Sequence, residues 1–168
     1  WFKPRKTIQW IVDTRMDYSF WHIIVLYGIL AMLSVMEDLH VGESLDSLSM
    51  IIVCAFIFGP ALTFVMLSAV SKLTRFYARR IGGHATYNHV RVAILWSYPA
   101  LIPAYLFMIP RIMTFGHSLF TPAHLENGFE SLSSDEISLE VMYALATVAG
   151  AIWGCIIGAK TLGQTAVT

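Results

Sequence analysis

Charge is what this 168-residue chain has least of: Asp, Glu, Lys and Arg make up 13% of it and hydrophobic residues 57%, where a soluble domain carries about a quarter charged. A water-soluble globule of this composition would expose large apolar patches, which excludes an ordinary soluble enzyme. Cysteine is nearly absent too. Cys54 and Cys155 each sit inside an apolar run, so neither a disulfide framework nor a thiolate metal cluster is expected, and both read as small buried hydrophobes. Neither a G-x-S-x-G elbow nor a Walker loop occurs, and no short basic-apolar-small leader of a cleaved signal peptide opens the chain at Trp1. No catalytic constellation is found, so the chain is not expected to be an enzyme or to hold a cofactor or metal.

What is present is apolar length. Tyr18 to Met36, Ser47 to Ser71, Val92 to Pro110 and Val141 to Ala159 contain no Asp, Glu, Lys or Arg and run for 19, 25, 19 and 19 residues. At about 1.5 Å per residue each reaches across a hydrocarbon core of about 30 Å, and a helix satisfies its own backbone there. The alternative is a set of core helices in a soluble bundle.

The distribution of charge decides between them. The net charge is zero, yet the segments between runs alternate in sign. Lys3, Arg5, Lys6 and Arg15 precede the first run against Asp13 and Asp17, and Lys72, Arg75, Arg79, Arg80 and Arg91 follow the second with no acid among them. Glu37, Asp38, Glu43 and Asp46 fill the first interhelical segment, and Glu126, Glu130, Asp135, Glu136 and Glu140 the third, beside the lone Arg111. Placing the first, third and fifth segments in the cytoplasm puts ten of eleven bases inside, as the positive-inside bias requires. The expected fold is an all-α polytopic bundle, one domain over 1–168, with spans near 18–36, 47–71, 92–110 and 141–159 and a cytoplasmic N-terminus. Residues 1–17 are expected to form an interfacial leader, with Ile8, Ile11 and Val12 on one helical face and bases at its start.

Local features refine this. Lys72, Arg75 and Arg79 recur at helical spacing, with Arg80 beside them, so the second helix should continue beyond its apolar run as a basic surface that contacts anionic headgroups or docks a cytosolic partner. Gly82 and Gly83 should end it. Pro99, Pro103 and Pro110 each remove a backbone donor from the third run, and Pro60 does so in the second. The third span is therefore expected to be bent and packed inside the bundle, either as a plain kink or beside a transport path. Ala146, Gly150, Gly154 and Gly158 recur every four residues, a face that lets another helix of this chain or a second one approach closely. No charge lies within the runs, so a buried ion pair or proton relay is not expected. His40, His117 and His124 stand among acids but lack the spacing of a ligand set, and read as loop residues.

The opening W-F-K-P-R-K-T-I, then R-R-I-G-G-H-A-T-Y leading into R-V-A-I-L-W-S-Y-P, resembles the Yip domain family, the Ypt/Rab-interacting membrane proteins, in its bacterial form. Trp1, Pro4 and Thr7-Ile8 match the leader, Gly82, Gly83 and Tyr87 the hairpin, and Tyr98-Pro99 the broken span. The resemblance implies a compact multi-span domain without enzymatic activity, in a bacterial inner membrane. Family members usually carry five spans, and four are read here. Eukaryotic members interact with small Rab GTPases and carry a long polar N-terminal tail; no such tail is read here, so a small GTPase is not an expected partner, nor is nucleic acid. The expected function is a non-catalytic scaffold or accessory subunit contacting membrane lipids and other membrane subunits, with a small transporter or channel beside the third span as the alternative.

Overall fold

The computed structural model describes residues 20–80, 86–122 and 132–165. The expected interfacial leader, Gly82, Gly83, His124, Glu126 and Glu130 lie outside them. The described residues form helices α1 (Phe20–Asp38), α2 (Leu48–Arg80), α3 (Tyr87–Leu95), α4 (Ile102–Leu106), α5 (Met108–Phe115) and α6 (Ser134–Thr165), with 3-10 turns at Val41–Glu43, Tyr98–Ala100 and Gly116–Phe120. Among them there is no strand. The protein is an all-α bundle in which α1, α2 and α6 are each long and apolar enough to cross a membrane. A fourth crossing is available if the pair Val90–Ala100 and Ile102–Phe120, bent by 44°, counts as one span.

The prolines explain why the third span comes in pieces while the second does not. Pro99, Pro103 and Pro110 each fall in the first turn of a new helical segment, where a missing N–H costs nothing because those amides have no intrahelical partner anyway. The turn at the first break is held by local bonds: Ser97 Oγ donates to Ile94 O at 2.6 Å and Leu101 N to Tyr98 O at 2.8 Å. Pro60, by contrast, lies deep inside α2, which continues through it to Arg80.

At the other end of the chain, α6 begins well before its apolar run, so Asp135, Glu136 and Glu140 belong to a helix rather than to the loop the sequence suggested. Its start is a capping box: Ser133 Oγ meets the Glu136 amide at 3.4 Å, and Ser133 N donates back to Glu136 Oε2 at 2.7 Å.

The core is built on one face of α2. Ile51, Ala55, Gly59, Thr63, Leu67 and Ser71 are buried at every fourth position, while Val53, Phe56, Ile57, Phe58, Val65 and Met66 face outward, as in a helix half wrapped by lipid. At Gly59 the stripe meets Gly28 of α1 backbone to backbone: a Cβ on Gly28 would lie 2.7 Å from the Gly59 carbonyl oxygen, and a Cβ on Gly59 would overlap that of Gly28. Around this crossing, Leu33, Met36, Ile51, Ala55, Met108, Leu119 and Phe120 pack at one end of the bundle, and Ile24, Leu67 and Leu95 at the other.

Candidate functional site

The end of the bundle that holds the larger cluster also holds the one fully enclosed base among the described residues. Arg111, expected in an extramembrane loop, instead sits in α5 with 3% of its side chain exposed. Glu37 reaches it from the last turn of α1 and Glu140 from the second turn of α6. The guanidinium is gripped by two forks. Nη1 and Nη2 donate to Glu37 Oε2 and Oε1 at 2.8 and 2.6 Å, and Nε and Nη2 donate to Glu140 Oε1 and Oε2 at 2.8 and 2.9 Å. Nη1 also meets Met108 Sδ at 3.3 Å, so the five contacts occupy the five N–H donors a guanidinium has. Its plane is completed by the Tyr143 ring, 4.1 Å from Cζ.

This corrects the expectation that the bundle lacks a buried ion pair. Glu37, Arg111 and Glu140 each stand one residue outside an apolar run, and the three helices place those flanking positions at one level. The acids are 17% and 16% exposed, so the cluster, two carboxylates to one guanidinium, carries a formal charge of −1 at the rim of the bundle. Tyr143 ties it inward, its hydroxyl 3.2 Å from Ser34 Oγ of α1. Chemically the arrangement is a staple: with every N–H committed, Arg111 has no donor left for a substrate.

Deeper in the bundle, Tyr27 of α1 stacks on Tyr98 with centroids 4.2 Å apart and meets Tyr105 edge-on at 5.8 Å. Beside this pair is a cavity of about 210 Å³, bounded by Ala31, Val35, Leu62, Thr63 and Met66 as well as Tyr27 and Tyr98. Its lining contains no carboxylate, imidazole or thiol. Val35, Leu62 and Met66 are exposed on the outer face, so the cavity opens sideways, toward lipid.

The small-residue face of α6 lies against the broken third span. A Cβ on Gly150 would come within 3.1 Å of the Ala100 carbonyl oxygen, whereas one on Gly154 or Gly158 would find its nearest atoms, on Ser97, at 3.8 and 3.9 Å; Ala146, one turn before Gly150, is half-buried. Alanine should therefore be tolerated unequally. Gly154→Ala and Gly158→Ala gain helix propensity of up to about 1 kcal/mol at ordinary contact distance, while Gly150→Ala must displace backbone. Thermal unfolding in one detergent should rank Gly150→Ala below wild type and the other two at or above it.

Of the remaining sequence candidates, Tyr87 opens α3, and Tyr98 and Pro99 form the 3-10 turn after it. Lys72, Arg75, Arg79 and Arg80 occupy the last turns of α2, at the end of the bundle away from Arg111. His117 Nε2 lies 2.8 Å from the Leu45 carbonyl oxygen and pins the two connecting turns together; His40 holds a left-handed backbone, φ 50°. Among the described residues, no group of three or more His, Cys, Asp and Glu is placed to hold a metal ion. Compared with family models, with curated proteins and with solved structures, the chain matches none.

Proposed function

We propose that this chain is a non-catalytic scaffold or accessory subunit of a membrane complex, seated in a bacterial inner membrane with its N-terminus in the cytoplasm. The sign-sorted segments support the orientation, and the short motifs shared with Yip proteins support the family reading. The observation that carries the functional reading is the position of α6. Its most apolar window is 11% buried within the chain, against 28% for α1. It is fastened by Glu140, Tyr143 and a narrow glycine face, and leaves Val141, Leu145, Val148, Ile152, Trp153 and Ile156 uncovered along its length. With Glu140 and Tyr143 committed to Arg111 and Ser34 and its apolar side open, α6 is suited to presenting a surface in the plane of the membrane.

The alternative, a small transporter, draws on the broken third span, whose Tyr98 bounds the cavity. That lining is apolar apart from Thr63 and the tyrosine pair, and offers an ion little to replace its hydration shell. The scaffold reading is preferred for that reason. A photoreactive residue at Leu145 or Ile152 tests it in intact cells: discrete crosslinks to one or a few membrane proteins are expected, and adducts with lipid alone at both positions would defeat it.

A further inference from the structure

The two ends of the bundle treat their bases in opposite ways. Arg111 is neutralised by acids of the chain itself, whereas α2 contains no Asp or Glu from 48 to 80, and Lys72, Arg75, Arg79 and Arg80 have no carboxylate partner among the described residues. Arg75 Nε is buried with no hydrogen-bond partner among the described residues. At about 1.5 Å per residue, the 33 residues of α2 extend for about 50 Å, well beyond a hydrocarbon core of about 30 Å, so its last turns lie at or past the headgroups.

Those turns are not simply solvated. Leu73, Phe76 and Tyr77 are 56%, 51% and 58% exposed, and successive steps of about 100° set them in a stripe directly alongside Lys72, Arg75 and Arg79. Arg80 folds over the Phe76 ring at 4.6 Å, and Phe76 and Tyr77 meet edge-on at 5.7 Å. Water suits the basic stripe and hydrocarbon suits the aromatic one. Both are satisfied together where acyl chains give way to phosphates, with long basic side chains reaching outward and rings at the boundary.

We propose that the last turns of α2 form a site for anionic phospholipid headgroups, in which Leu73, Phe76 and Tyr77 are set into the acyl boundary while Lys72, Arg75 and Arg79 hold phosphates of the leaflet at that end. Charge complementarity selects the occupant: a basic stripe with no carboxylate partner among the described residues, beside an apolar one, matches a negatively charged membrane surface. The inference does not depend on the scaffold reading, since it concerns α2 rather than α6.

Two measurements on the full chain, reconstituted in phosphatidylcholine vesicles with a minority of phosphatidylglycerol, test it. After mild detergent extraction, phosphatidylglycerol should be enriched among the lipids that stay bound. Lys72→Gln, Arg75→Gln and Arg79→Gln should each lower that enrichment by up to about fivefold, the effect expected of one base at an anionic surface. A nitroxide on Tyr77→Cys, with Cys54→Ala and Cys155→Ala to remove the native thiols, should report the oxygen-rich acyl boundary. Enrichment unchanged in the triple Gln variant would overturn the proposal. A nitroxide freely reached by water-soluble quencher would also overturn it, and would assign the face to an acidic protein instead.

Discussion

Arg111→Met should destabilise the folded chain by about 3–5 kcal/mol, the range for removing one partner of a buried ion pair. Methionine keeps the stem that packs beside Met108, but it leaves Glu37 and Glu140, both mostly enclosed, facing each other without the guanidinium charge that joined them. The acids should respond differently, because the cluster holds one more carboxylate than it has guanidinium. Glu37→Gln leaves a neutral Arg111–Glu140 pair with an amide oxygen still accepting from Nη1 or Nη2, a loss of about 1 kcal/mol. Glu37→Gln with Glu140→Gln strands the cation and should cost about as much as Arg111→Met. Replacing all three residues by methionine should restore most of the stability. Equilibrium unfolding in a single detergent, followed by circular dichroism, gives each value; strictly additive effects of the two Gln substitutions would show that the cluster does not act as a unit.

Gly59→Leu is the second large effect. A Cβ there falls on the backbone of Gly28, and a peptide group, unlike a side chain, has no other rotamer into which to retreat. The two helices must separate, and the contacts on either side of the crossing, Leu33 and Met36 with Ile51 and Ala55, and Ile24 with Leu67, loosen with them. The expected cost is about 3 kcal/mol or more, at or beyond the upper end for overpacking against movable side chains. Gly59→Ala should already be destabilising despite its gain in helix propensity, the reverse of Gly154→Ala on α6. A wild-type unfolding midpoint for Gly59→Leu would mean that this crossing is not the contact that organises the bundle.

The spans were readable because crossing lipid demands uninterrupted apolar length: the described part of the run 18–36 lies in α1, and the run 47–71 corresponds to the first part of α2. The breaks at Pro99 and Pro103 were readable for an equally local reason, the missing donor. Arg111 was misplaced because an uncharged run, by definition, stops at the first charge, which discards the residues where a helix meets the rim. A usable signal was there: Glu37, Arg111 and Glu140 are flanking charges of opposite sign on one side of the membrane. What sequence does not contain is the relative height of three helices, and a salt bridge needs that height to within one turn. Gly28 was missed because it has no small neighbour four residues away in α1; its role appears only when Gly59, which does follow Ala55 at that spacing, comes to lie against it.

The order of the three charges along the chain also bears on how the protein is made. Glu37 leaves the ribosome first, Arg111 next, and Glu140 only with the last described helix. Until that helix has been synthesised, the nascent chain can form one of the two forks around Arg111 but not both. Closure of the second fork therefore waits for α6, and a chain interrupted before Ser134 would hold Arg111 by Glu37 alone.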